Sequence, residues 1–398
     1  PYLNEYYNGH DDEFHRQVAD VDARIQLVMD LRRGKLLKVF PYTVNGNTTW
    51  YAPTDIMPDS AVAPADRLYM QNVFSLIYQE ALAGNMASVG NIADKMLRYQ
   101  HKNGGSSLPS DMQTRAERLY NAVPFATILF MLNLGMGFAT LFAVLWLMTR
   151  PTRRTLRGSM LMKITVAVML LSFAALTLCV ALRWLIRGTA PMANGYETML
   201  LMAWIIMAAS LLLCRRFAIV LTFGFIMSGF FLLVSHISQM DPQITHIMPV
   251  LQSPLLSIHV SVIMTAFALL SLTFICGITA LLLRAMRGSR AEGLAAQLAA
   301  LRALSQLFYY PAMAALAVGI FVGAVWANVS WGTYWSWDAK EVWALITFMV
   351  YAAAAHGTSL PMMRRPMPWH VFMVAAFATI LMTYFGVNYF LGGIHSYA

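Results

Sequence analysis

Apolar residues follow two regimes along the chain. Up to about residue 120 they recur singly, at helical spacing among polar side chains; beyond it they form long, nearly unbroken runs. In the first part Val18, Val21, Ile25 and Val28 mark a helix across Asp11 to Leu37, and a similar pattern covers Asp66 to Gln100. Pro41 to Pro64 is rich in turn formers, and Asn45-Gly46-Asn47 predicts a hairpin turn, because Asn and Gly accept the positive φ such turns demand. Asn103-Gly104-Gly105-Ser106-Ser107 reads as a loop, and Pro109-Ser110 as the start of a helix running toward Pro124. The second part holds eight stretches long enough to cross a bilayer, near 124–148, 162–186, 196–214, 217–236, 255–283, 310–328, 341–360 and 369–391. The predicted fold class is an all-α polytopic membrane protein: about eight transmembrane helices preceded by a mostly helical domain over 1–120.

Composition agrees with that reading. Of 398 residues 58% are hydrophobic and 12% charged, about half the charge of an ordinary soluble domain. Too few polar side chains remain to cover a water-soluble fold, which excludes a soluble enzyme. The formal charge of +9 divides unevenly: residues 1–120 hold 12 basic and 14 acidic side chains, and 121–398 hold 16 and 5. Basicity therefore belongs to the membrane part, where it reports orientation, and no nucleic-acid partner is expected.

Scored at alternate span ends, one side collects thirteen Lys and Arg residues, among them Arg150, Arg153, Arg215, Arg284, Arg302 and Arg364; the other collects only Arg183, Arg187 and Lys340. The first side is cytoplasmic by the positive-inside rule. Both termini of this chain, the domain 1–120 and the loops 187–196, 237–254 and 329–340 are then extracytoplasmic, and the expected location is a bacterial inner membrane. Segment 284–305, Ala- and Leu-rich with scattered Arg, is predicted as a cytoplasmic amphipathic helix near the headgroups. Cys179, Cys214 and Cys276 lie in apolar runs and form no CxxC pair, so neither a disulfide framework, a zinc site nor covalent haem on this chain is expected. The chain starts at Pro1 with no signal peptide ahead of the polar region and is read as a fragment or processed product.

The most informative segment is Trp331-Gly332-Thr333-Tyr334-Trp335-Ser336-Trp337-Asp338-Ala339-Lys340-Glu341-Val342-Trp343, which holds four of the ten tryptophans. Trp and Tyr at a span end can be an interfacial belt, which needs one or two rings. Four indoles with Asp338, Lys340 and Glu341 fit a platform better: flat faces to stack on a planar ligand, N–H donors, and a cation for its carboxylates.

WGTYWSWDAKEVWALI resembles the tryptophan-rich "WWD" motif of the haem-handling proteins of cytochrome c biogenesis. Its WDxKExW ending is most similar to the CcsA type, or to the CcsA half of the fused CcsBA synthases of system II. LQSPLLSIHV, containing His259, and GGIHSY, containing His395, agree with it, so the resemblance covers about 121–398, with the Trp-rich external loop at 329–343. The polar domain 1–120 is read as a docking or shielding domain, the end of a CcsB-like half.

Nine histidines are present. His10, His15 and His101 read as solvated, His370 as interfacial, and His236 and His246, which bound a loop, as structural. His259 lies about five residues, roughly 7 Å, inside the fifth span, and His395 follows the last one; both fall at the level of the tryptophan loop. Ionisable groups at membrane depth are costly and usually functional, and two neutral imidazoles flanking a platform suit haem iron. The resemblance assigns His259 and His395 as axial ligands of an external haem. It also implies a second haem within the membrane, with His356 of the seventh span as one ligand and the other supplied by a CcsB-like segment or partner, since this chain offers no second candidate.

The cofactor implied is haem b, as substrate and ligand, in contact with Trp331, Gly332, Trp335, Trp337, Asp338, Lys340, Glu341 and Trp343, the three charged residues either meeting its propionates or ordering the loop. The activity implied is cytochrome c synthase (holocytochrome c haem lyase), exercised with the CcsB part. Haem crosses the membrane and is joined through thioethers to the CxxCH segment of an apocytochrome c. No side chain of the chain itself is marked as catalytic. A thioredoxin-like thiol reductant is the further partner, besides the lipid bilayer, because the substrate thiols must stay free. A haem exporter without lyase activity and a di-haem electron carrier are the alternatives.

Overall fold

The computed structural model describes residues 2–7, 9, 13–55, 64–149, 160–192, 194–236, 242–244, 253–287, 293–357 and 359–391. It divides into two compact units, Pro1–Met112 and Gln113–Ala398.

In the first unit, α1 (Tyr2–Tyr7) and α2 (Glu13–Arg32) precede a hairpin of β1 (Phe40–Val44) and β2 (Asn47–Tyr51). Val44 pairs with Asn47, so the turn is Asn45-Gly46, and both residues have positive φ (50° and 81°). That is the backbone the dipeptide predicts. Helices α3 (Pro64–Leu82) and α4 (Met86–Asn103) follow. The helical pattern anticipated from Asp66 to Gln100 breaks at Gly84, which takes φ 77°. Phe40, Met70, Val73 and Ile92 form a small core, and Gln100 Nε2 donates to Val39 O at 2.9 Å, tying α4 to the hairpin. The predicted apolar stripe of α2 is present, but Val21, Ile25 and Val28 are exposed.

α5 (Asp111–Ala122) spans the boundary between the units, and the second unit continues through α6 (Phe125–Thr149), α7 (Met160–Arg187), α8 (Gly195–Leu213), α9 (Ile219–His236), α10 (Pro254–Arg287), α11 (Leu294–Trp331), α12 (Ala339–Ala353) and α13 (Pro366–Leu381). A wide-turn π-helical segment, Met382–Leu391, continues α13. Seven helices among the described residues are long and apolar enough to cross a membrane. They coincide with seven of the eight predicted spans; the chain is an all-α polytopic membrane protein. Large apolar side chains such as Phe142, Leu171 and Phe321 stand exposed on them, as expected where the surrounding solvent is lipid. One core runs through α8 to α13 and a second through α6 to α9.

Close approach in this bundle depends on small residues. A Cβ on Gly229 of α9 would come 2.8 Å from Leu134 N of α6, and one on Gly137 of α6 2.9 Å from Ile226 N of α9. Nearby, Asn133 Nδ2 donates to Ser228 Oγ at 3.1 Å and Ser172 Oγ donates to Asn133 Oδ1 at 2.7 Å, a satisfied buried link across three helices. Gly229→Ala must push backbone against backbone, and is expected to cost about 1–3 kcal/mol. Thermal unfolding in detergent reads this directly; a midpoint equal to that of the parent protein would show that α6 and α9 can part freely.

Two predicted elements differ. The stretch 341–360 is helical only as α12, 15 residues long, with Ala354 as its C-cap, short of the roughly 20 a span needs. The segment 284–305 is not a separate helix lying at the headgroups. From Leu294 onward it is the start of α11, a continuous helix of 38 residues, and its apolar face packs on protein. Leu294, Leu298, Leu301 and Leu304 are buried, Arg302 donates to Met363 O at 3.0 Å, and Trp369 Nε1 to Ser305 Oγ at 3.0 Å. That same contact buries His370, whose Nε2 lies 3.3 Å from Leu298 O, so Trp369 and His370 are packing residues and not interfacial ones.

Candidate functional site

The tryptophan loop joins a helix stop to a helix start. Gly332 follows Trp331 with φ 79° and returns its N–H to Asn328 O at 2.9 Å, a left-handed helix end that glycine adopts without strain. Five residues later Trp337 also has positive φ, 60°, an unfavourable state for a bulky side chain. The first turn of α12 holds it there. Asp338 caps the helix, its Oδ1 accepting Lys340 N–H at 3.0 Å, while Glu341 Oε2 reaches back to Asp338 N at 3.3 Å and Ser336 N at 2.8 Å. This is a reciprocal capping box. The Ser336 hydroxyl adds bonds to both Glu341 oxygens at 3.3 Å.

Held this way, Trp337 is 75% and Tyr334 59% exposed, while Trp331, Trp335 and Trp343 are half-buried. Trp335 and Trp337 meet edge to face at 6.0 Å, and Trp331 stands against buried Trp326 at 4.7 Å. Lys340 is half-buried; burial pulls its pKa below the usual lysine value, with the Asp338 carboxylate opposing. The C-terminal π segment is fastened beneath: Thr383 Oγ1 donates to Trp343 O at 3.2 Å and meets Thr347 Oγ1 at 2.8 Å, and the Tyr384 hydroxyl meets Thr198 Oγ1 at 2.5 Å. π turns recur at functional sites.

His259 lies on α10 against α11, its Nδ1 2.8 Å from Gly319 O. Gly319 and Gly323 precede Trp331 on α11, so His259 and the tryptophan loop belong to the same end of that helix pair, about 12 Å separating Gly323 from Trp331 along the axis. His356 is not within a helix. It stands exposed in the turn after α12, its N–H 3.2 Å from Ala353 O, at the end of α12 opposite the tryptophan loop. His236 ends α9 beside Phe130, with Nδ1 3.3 Å from Thr127 Oγ1. His395 and His246 lie outside the described residues.

Sequence reasoning missed a buried charge cluster. Arg183 and Glu197 are both fully buried: Arg183 donates to Glu197 Oε1 through Nε at 3.1 Å and through its terminal nitrogen at 2.8 Å. It also donates to Tyr120 OH at 2.6 Å and Pro242 O at 2.8 Å, while Arg187 donates to Glu197 Oε2 at 2.5 Å. The rings of Tyr196 and Tyr120 lie 4.8 and 5.4 Å from the Arg183 guanidinium carbon. Arg183 and Arg187 entered the sequence reading only as orientation charges. An i, i+4 arginine pair at a span end, followed by the lone acid in the next helix's first turn, was the available signal.

The fold and this end of the bundle define a class: a polytopic helical membrane protein presenting a clamped, tryptophan-rich loop beside an oriented histidine. The family profile described as Cytochrome C assembly protein matches residues 192–395. NrfI of Wolinella succinogenes is 30% identical over 388 residues, 97% of this chain and 42% of its own length. The cytochrome c biogenesis proteins CcsA of Guillardia theta and Chlamydomonas reinhardtii are each 31% identical, over 252 and 233 residues, covering 57% and 56% of this chain and 83% and 65% of their own lengths. A solved structure named Cytochrome c Heme Lyase CcmF aligns with TM-score 0.48 and 18% identity over 70% of this chain and 47% of its own. The chain belongs to the cytochrome c assembly protein family and is of the CcsA type. It spans about two fifths of the length of NrfI.

Proposed function

We propose that the chain moves haem b across the membrane and displays it under the tryptophan loop, where it is joined to an apocytochrome c. One observation carries the reading: with Nδ1 at 2.8 Å from a backbone carbonyl, His259 is protonated on Nδ1 and has its lone pair on Nε2, the tautomer that ligates iron. The charge asymmetry supports a tryptophan loop on the extracytoplasmic side, and His356, at the far end of α12, then lies toward the cytoplasm. Haem enters near His356, opposite which a CcsB-like part supplies the second ligand, and is then held outside by His259 and His395.

Trp331, Trp335, Trp337 and Trp343 provide faces for the porphyrin ring, Gly332 lets the chain turn into the loop, and Lys340 is the cation near its propionates. Asp338 and Glu341 keep the loop in shape. Each thiol of the substrate CxxCH then adds across one vinyl group, its hydrogen going to the neighbouring carbon, so no nucleophile of this chain is consumed. The contribution of the protein is positioning. A thioredoxin-like reductant keeps the thiols free before the step, and the domain 1–120 docks or shields the complex.

The test is co-expression of the chain, together with its CcsB-like part, and a CxxCH reporter, followed by a search for haem that survives denaturation. Covalent reporter haem that falls at least tenfold with His259→Gly is the expected result. Haem bound by the membrane protein with no covalent product leaves an exporter and removes the lyase. A His259→Gly spectrum identical to that of the parent removes the ligand assignment.

A further inference from the structure

We infer that Gly319 and Gly323 of α11 are positioning residues for His259: one supplies the carbonyl that selects its tautomer, the other the clearance that lets the ring reach it. This rests on His259 as an iron ligand. The pair sits four residues apart within AVGIFVGAVW, the small-x-x-x-small spacing that brings membrane helices close. The two glycines do different things. At Gly319 a Cβ would meet Ile263, at 2.5 Å from Cδ1 and 2.9 Å from Cγ1, one turn along α10 from the histidine. At Gly323 it would meet the imidazole itself: 2.5 Å from Cε1, 2.7 Å from Nδ1 and 3.2 Å from Nε2.

Real Cβ atoms do not approach a ring that closely, so a side chain at position 323 must swing the imidazole away. The 2.8 Å bond from Nδ1 to Gly319 O is then lost, and with it that carbonyl's hold on the Nδ1 proton. The carbonyl also makes the imidazole a stronger donor to iron, because a hydrogen bond from Nδ1–H pushes electron density toward Nε2. A ring released from it binds iron more weakly and favours the ferric state less.

Ordinary helix packing would also place glycines here, so the test separates packing from positioning. The chain with its CcsB-like part is purified as the parent, Gly323→Ala, His259→Gly, and the double variant, each with and without free imidazole. Haem absorption, electron paramagnetic resonance and reduction potential are then measured. Gly323→Ala should lower low-spin haem retention by about tenfold and raise the potential of what remains. His259→Gly should lose the signal and regain it with imidazole. The double variant should regain it equally, because a free imidazole is not bound to the path of the His259 side chain.

A parental spectrum and potential in Gly323→Ala, with His259→Gly still losing the signal, overturns the inference and leaves the ligand assignment standing. A double variant that imidazole fails to restore while it restores His259→Gly assigns Gly323 to helix packing and also overturns it. An unchanged His259→Gly overturns the site reading itself.

Discussion

Glu197→Gln is expected to destabilise the membrane unit by about 3–5 kcal/mol, the loss typical of removing one partner from a buried ion pair. The substitution keeps size and an acceptor oxygen but leaves Arg183 and Arg187 facing each other with no anion between them, and Arg183 is fully buried. Thermal unfolding in detergent, followed by tryptophan fluorescence, should show a large fall in midpoint. Replacing all three charged side chains by apolar ones of similar volume should recover much of it, because the desolvation cost disappears with the charges. A Glu197→Gln protein that melts with the parent would mean that water reaches the arginines, contrary to their burial.

Glu341→Ala is expected to reduce covalent reporter haem roughly 10²-fold, the effect of misplacing a reacting group by about 1 Å, with a stability change near the ~1 kcal/mol of a lost helix cap. Glu341 holds Ser336 through its N–H and hydroxyl and holds the N–H of Asp338. Without it the loop keeps the Asp338 cap on Lys340 N but loses the bonds that tie Ser336 and the Asp338 N–H on either side of Trp337. Glu341→Gln retains one acceptor oxygen and should fall between. Full product yield from Glu341→Ala would show that the loop does not need to be held for the reaction. Equal losses from Ala and Gln would instead point to the charge of Glu341 and away from its clamping role.

Much of the fold was legible. Span positions, the Asn45-Gly46 turn and the isolated tryptophan loop all follow from local composition, since each segment carries its own apolar run or turn residues. Asp338 and Glu341 were found as well, as groups that either meet the propionates or order the loop; their D-x-x-E spacing is a capping-box signature, and the structure has both carboxylates accepting backbone N–H groups. The seventh span extends too far because Ala354 and Ala355 continue the apolar run, while the backbone leaves the helix after Ala353. The 284–305 helix was placed at a lipid surface because its amphipathic pattern cannot tell lipid from protein, and in the fold that face is buried in protein, with Trp369 and His370 of α13 among its partners.

The sequence by itself determined that this is a polytopic membrane protein, where seven membrane-length helices lie, and that a tryptophan-rich loop interrupts the apolar runs beside candidate ligands. Those are properties of contiguous segments, set by transfer free energy and turn chemistry. Only the tertiary structure decided which charges are neutralised and what surrounds His259. Arg183 meets Tyr120 across 63 residues of chain, and His259 meets Gly319 across 60. Such contacts exist only once α7 has closed on α5 and α8, and α10 on α11. Helix packing sets them, and between α10 and α11 it relies on Gly319 and Gly323, small enough to let the helices touch.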